Sequence, residues 1–307
     1  AGAAVGFGAA YPLTAVALRS FAPLGAAAIQ SSIALVIVLA LAATRVLPRP
    51  GAGARSRDGL VRLLVLGLLG GVGFITGMNV AVHLAGPAIT GFVASLYAVF
   101  AALFAVPLLG ERLRPATVAA FGLALVGTLL LAGFEPLDTN VAGIAFGLFA
   151  AVAFGLYLVL SRRWIASTGL DGTSITMANL IGRGPFLLVV QLLLDPAGLR
   201  PDPLLPESAV ALVGLVLLPS LMSQLLIVAS VKRVPARRTS ASLLITPLTS
   251  AAISVAFLGD HLTPIEAAGA FLVVLGIAGA SGAVGPAVGR LLGRRPDAPA
   301  PADRLTR

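Results

Sequence analysis

One arginine stands in the middle of an apolar run. Arg183, in "NLIGRGP", carries a charge that lipid does not solvate, so some group must offset it. Two readings follow from the residue alone. The guanidinium holds the carboxylate of a bound solute, or it is anchored structurally to carbonyls or to Asn179, one turn earlier. Asn79 and Gln224, and with them Gln30 and Gln191, place amides in other apolar runs. An amide both donates and accepts, which suits a zwitterion and equally suits an interhelical hydrogen bond. Thr239, Ser242, Thr246 and Thr249 recur at helical spacing on one face. They form a hydroxyl-lined wall, or they bond their own backbone carbonyls.

Tyr11 and Tyr157 fall near corresponding places in two runs and read as lining opposite sides of a path, or, for Tyr157, as an interfacial aromatic. Trp164, beside Arg162 and Arg163, reads as interfacial. His83 closes a run and is a candidate pH sensor or a solvated end. Pro12, Pro185, Pro219 and Pro247 interrupt runs, and each removes a backbone donor. They are candidate hinges, with ordinary tolerated kinks as the other reading.

Catalytic sets are missing from this inventory. The chain has no cysteine and two histidines, neither in an H-E-x-x-H pattern. Disulfides, iron–sulfur clusters and thiol catalysis are excluded, and no cofactor or metal is implied. An intramembrane enzyme is therefore disfavoured.

The elements that position these residues follow from composition. Of 307 residues, 58% are apolar and 11% charged, and mean hydropathy is +1.02. Such a chain cannot build a polar shell, so lipid is the solvent for its outer surface. The net charge of +9 does not indicate nucleic acid, because the arginines cluster between apolar runs rather than along one soluble face. Ten segments are long enough to span: 2–18, 24–44, 61–83, 87–109, 115–134, 140–161, 174–194, 208–231, 238–258 and 265–285. The first is short and opens directly on Ala1, which reads as a trimmed start.

With the N-terminus placed in the cytoplasm, 18 of the 21 basic residues fall in cytoplasmic connections or the tail, as the positive-inside rule requires. Only Arg19 and Arg200 lie outside, and Arg183 lies within a span. The expected location is a bacterial-type inner membrane, with both termini cytoplasmic. Oligomeric state is not legible, and a monomer is compatible.

The phrase "LLGERLRP" at 108–115 returns as "FLGDHLTP" at 257–264, a constant offset of 149 residues. The register runs from Val82 and Val231 to Gly127 and Gly276. Five spans separate equivalent positions. Five is odd, so the halves enter the membrane from opposite sides. Inversion also explains the exchange of Arg112 for His261 and Arg114 for Thr263. The expected fold is all-α and integral to the membrane: ten transmembrane helices as two inverted five-helix repeats, 1–134 and 140–285, then a disordered basic cytoplasmic tail, 286–307. The register sets Thr90, Val93, Tyr97 and Phe100 opposite the hydroxyl stripe, an aromatic wall facing a polar one.

Two five-span halves, each with a G-[ED]-x-L-x-P junction before its last helix, resemble the drug/metabolite transporter superfamily, and within it the EamA-type ten-span exporters. The resemblance covers nearly the whole chain. It implies export or facilitated passage of small metabolites, often amino acids, by alternating access around a midplane cavity. The family is similar in carrying a basic residue midway along its second and seventh spans; Arg183 fits the latter, and Gln30 stands in the former. No span holds an Asp or Glu away from its ends. Proton coupling would therefore need His83 or an unusual group, and a facilitator is an equal reading. A passive channel is the alternative. The partners implied are a small-molecule substrate and the bilayer.

Overall fold

The computed structural model describes residues 2–44, 54, 56–111, 115–131, 139–168, 170, 172–222 and 245–280. The tail at 286–307, Gln224, Thr239 and Ser242 lie outside the described residues. Among the described residues there are helices and no strands.

The first span is α1, Gly2–Gly8, and α2, Ala10–Ala17. The second is α3, Pro23–Ala43. The third starts as α4, Arg57–Leu66, widens into a π-helical segment, Gly67–Gly73, and runs on into α5, Phe74–Ala94. The fourth is completed by α6, Tyr97–Leu109, and α7, Pro115–Leu131, is the fifth. In the second half come α8, Thr139–Thr168, and α9, Gly172–Leu194. A short 3₁₀ turn, Pro196–Leu199, leads to α10, Pro206–Leu215, which passes into a second π-helical segment, Val216–Met222. The described part of the ninth span is α11, Ile245–Ile253, ending in a third π-helical segment, Ser254–Leu258. The tenth is α12, Pro264–Ala280.

Local chemistry sets the boundaries. Ser56 caps α4 by accepting from the Gly59 amide at 3.0 Å. Thr263 and Glu266 form a capping box at the start of α12. Two breaks interrupt spans that the sequence presents as continuous. The first, at Ala9, lies just before Pro12, whose missing N–H leaves the Gly8 carbonyl without its helical donor. The second is the turn at Ser95–Leu96, where the Ser95 hydroxyl donates to the Gly91 carbonyl at 2.6 Å and competes with the backbone ladder. The third and fourth spans part at Gly86, whose φ of 78° only glycine adopts cheaply, followed by Pro87. There the Asp260 carboxylate accepts from the Ala88 backbone; partial burial raises its pKa, and the Ala88 bond and His261 lower it.

The two halves share one register. α3 and α9 begin at Pro23 and Gly172, α4 and α10 at Arg57 and Pro206, the π-helical segments at Gly67 and Val216, and α7 and α12 at Pro115 and Pro264. The helix before each last span ends on a left-handed glycine, Gly110 at φ 70° and Gly259 at φ 72°. The last spans pack directly on each other. A β-carbon at Gly127 would stand 2.6 Å from the Gly269 carbonyl oxygen, and one at Gly269 would stand 2.7 Å from that of Gly127. Exchanging halves turns this contact into Ala120 against Gly276, where a β-carbon on Gly276 would stand 2.7 Å from the Ala120 carbonyl oxygen. Contact positions rise along α7 as they fall along α12, so the equivalent helices are antiparallel. That is the signature of an inverted pair.

The outer surface is apolar. Leu193, Leu194, Val210 and Phe257 are each more than 70% exposed, an arrangement that lipid solvates and water does not. The main core gathers Phe92, Val93, Tyr97, Val99, Leu131, Ile144 and Val273, joining the fourth and fifth spans to the sixth and tenth.

Candidate functional site

The third and eighth spans carry their π-helical segments at the same register, and both segments face the centre. A π turn carries an extra residue and opens the helix, so its backbone and side chains are displaced from an α-helical track. Gly70 of the first segment and Pro219 of the second stand at equivalent positions, and both line one cavity. Gly70 is required by closeness. A β-carbon there would fall 2.6 Å from the Tyr157 ring and 2.7 Å from Asn179 Nδ2.

The cavity measures about 40 Å³. That holds roughly one water molecule, whereas small-molecule sites run to about 300–1,000 Å³. The described walls thus lie close together around a small space. Its polar lining is Tyr11, Gln30, Asn179, Arg183 and Ser220; its apolar lining includes Phe7, Phe74, Met78 and Phe154. Phe74 and Phe154 contact each other with centroids 4.6 Å apart, so one wall is aromatic.

Ser220 is the hub of the polar side. Arg183 Nη2 donates to its hydroxyl oxygen at 3.1 Å, and Gln30 Nε2 donates to the same oxygen at 3.4 Å. The Ser220 hydroxyl in turn donates to the Leu215 carbonyl at 3.1 Å, five residues back and within reach because the helix is π-wound. Three spans, the second, seventh and eighth, thus meet at one oxygen. Among the described residues two polar atoms of this group have no partner: Arg183 Nε, a donor, and Gln30 Oε1, an acceptor. Arg183 is 4% exposed and Gln30 1%. An orphaned donor and an orphaned acceptor beside one cavity are the complement of a ligand with an acceptor and a donor close together.

Several sequence candidates lie elsewhere. Asn79 is buried, but its amide nitrogen donates to the Pro23 carbonyl at 3.0 Å, tying the third span to the second. Tyr97 packs edge-on to Phe154 at 5.0 Å, and Tyr157 stacks on Phe154 at 5.3 Å. Both brace an aromatic wall they do not line. Thr246 is buried where Gly8 crosses the ninth span, with a β-carbon on Gly8 falling 2.6 Å from the Thr246 carbonyl oxygen. Pro12 and Pro247 are buried off the cavity, Pro185 is exposed, and His83 is exposed. Of the four prolines only Pro219 lines it. Ser220, Phe74 and Phe154 were not among the sequence candidates. The offset of 149 held the one usable signal, since it pairs Gly70 with Pro219 and Gln30 with Asn179, four residues that line one cavity.

A family comparison settles what such a molecule is. The EamA-like transporter family matches residues 1–133 and 141–282. The chain belongs to the EamA-like transporter family. Its members and the relatives below are transporters, not enzymes. The chain is 25% identical over 283 residues, 90% of each sequence, to "Uncharacterized transporter YyaM" of Bacillus subtilis (strain 168). It is 40% identical over 89 residues, 27% of this chain and 31% of the other, to "Aromatic amino acid exporter YddG" of Ancylobacter novellus. A crystal structure of a protein 23% identical in sequence superimposes with a TM-score of 0.61, covering 94% of this chain and 97% of that one. That likeness shows the fold. This EamA-family chain is an integral membrane transporter.

In such a transporter Gly70→Ala tests the closeness of the cavity walls. The added carbon must displace Tyr157 or Asn179. We expect a destabilisation of about 1–3 kcal/mol and a fall in transport rate of about tenfold. The checks are thermal unfolding in detergent and flux in proteoliposomes. Unchanged behaviour in both would show that the walls are not packed as described.

Proposed function

We propose that this transporter carries small amphipathic carboxylates, amino acids among them, by alternating access around the cavity between its halves. One observation carries the reading. Arg183 is a buried cation with an unpartnered Nε, beside a cavity with an aromatic wall. Guanidinium recognises carboxylate through paired N–H donors. The exporter named above lends the amino-acid reading support over part of the chain. Residues 1–134 and 140–285 act as the two units that rock. Pro219, with Gly70 opposite it, marks where the wall helices bend.

The test is flux of labelled amino acids and aryl carboxylates in proteoliposomes. A transporter gives saturable flux and counterflow. A channel gives non-saturating flux and no counterflow, which would overturn alternating access.

We place both termini and the tail at 286–307 in the cytoplasm of a bacterial-type inner membrane, on the distribution of basic residues. Arg163 then faces inward and His261 outward. The chain has no native cysteine, so Arg163→Cys and His261→Cys report without background. An impermeant maleimide on intact cells should label the second and not the first. Labelling of both would reject this orientation and the inverted arrangement together.

A further inference from the structure

The site's charge points to a narrower class of solute, in an inference that rests on the carboxylate reading above. Arg183 sits at the middle of α9, Gly172–Leu194. The chain has twelve acidic residues. None lies deeper in a described helix than the first turns that hold Asp58, Glu207 and Glu266. The helix of Arg183, α9, contains no acidic residue. The sequence at 223–244, which completes the eighth and ninth spans, contains four basic residues and no acidic one. Among the described residues the ion pair is Arg162 with Glu111, and both are exposed. Among the described residues no carboxylate lines the cavity. An arginine does not shed its proton there, so the empty cavity carries a net positive charge held by neutral dipoles.

A zwitterion does not remove that charge. Its carboxylate meets Arg183, but its ammonium then lies close to the guanidinium and finds only neutral acceptors. A monocarboxylate anion cancels the charge outright. Replacing the ammonium by a hydroxyl also supplies the donor that Gln30 Oε1 lacks. We infer that the site selects aryl-substituted 2-hydroxy carboxylates, which are net anions, over the corresponding zwitterionic amino acids. The carboxylate takes Arg183, the hydroxyl donates to Gln30 Oε1, and the ring rests on the wall of Phe74 and Phe154.

The probes are 3-phenyllactate, phenylalanine and phenethylamine, which share a ring and differ in net charge. Each competes against labelled 3-phenyllactate in proteoliposomes holding the full chain. Phenyllactate should compete at least about tenfold better than phenylalanine, the size expected when a like charge about 5 Å away at an effective dielectric near 20 is partly offset by a neutral acceptor. Phenethylamine should not compete. Ser220→Asp sets a carboxylate where Arg183 Nη2 already donates at 3.1 Å, and it should erase or invert the order. Phenylalanine competing as well as phenyllactate on the unaltered protein overturns the inference and leaves the carboxylate reading standing. Failure of both carboxylates to bind or move overturns that reading itself. The comparison on the unaltered protein decides the matter even if Ser220→Asp does not fold.

Discussion

Arg183→Ala is expected to cut carboxylate flux by about a hundredfold while leaving the protein folded. Removing one partner of a buried, hydrogen-bonded charge pair costs about 2–5 kcal/mol, and every 1.4 kcal/mol is about tenfold in affinity. The folded protein without substrate tells the opposite story. Arg183 makes a hydrogen bond to neutral Ser220 and leaves Nε unpartnered, so the side chain is a cost to the apo protein. Its loss should leave the unfolding temperature in detergent unchanged or raise it. The two readouts must therefore separate: transport falls and stability does not. A parallel fall in both, or equal loss for cationic solutes that carry no carboxylate, would make Arg183 a structural anchor.

The second large effect concerns the last spans. Gly127→Leu and Gly269→Leu should each abolish the folded, monodisperse protein. At both positions the first added carbon already falls within 2.7 Å of a backbone carbonyl oxygen on the opposite helix. Backbone cannot swing aside as a side chain can, so the helices must separate along their length. Overpacking costs about 1–3 kcal/mol in ordinary cores and more where no rotamer relieves it, against a total stability of about 5–15 kcal/mol. Gly122 is the internal control, on the same helix with nothing within 4 Å of an added carbon. Gly122→Leu should behave as the unaltered protein in size-exclusion chromatography and thermal unfolding. If all three behave alike, α7 and α12 do not pack as described.

Much of the fold was legible because it is written twice. A left-handed helix end admits glycine and little else, so Gly110 and Gly259 had to recur at one offset. Small residues every few positions in the last spans likewise announced close packing. The site was legible only in its charge. Arg183 stands out in any apolar run, and Gln30 and Asn179 nearly so. Ser220, Phe74 and Phe154 did not stand out, since serine and phenylalanine are unremarkable in membrane helices.

Helical spacing and the 149-residue register place Tyr97 and Thr246 on facing walls of the path, and neither lines the cavity. The fourth span is broken at Gly86 and again at the turn at Ser95–Leu96, both ahead of Tyr97. Periodicity reads a helix face only as far as the helix stays regular.

The matched π-helical segments at Gly67–Gly73 and Val216–Met222 have one more consequence. Each half owns a copy of the same yielding joint, mounted upside down relative to the other. Under the rocking proposed above, one copy would straighten as its twin coils, and the doorway on one side would shut by the movement that unlatches the opposite side. Both end-points of the cycle are then built from a single set of parts.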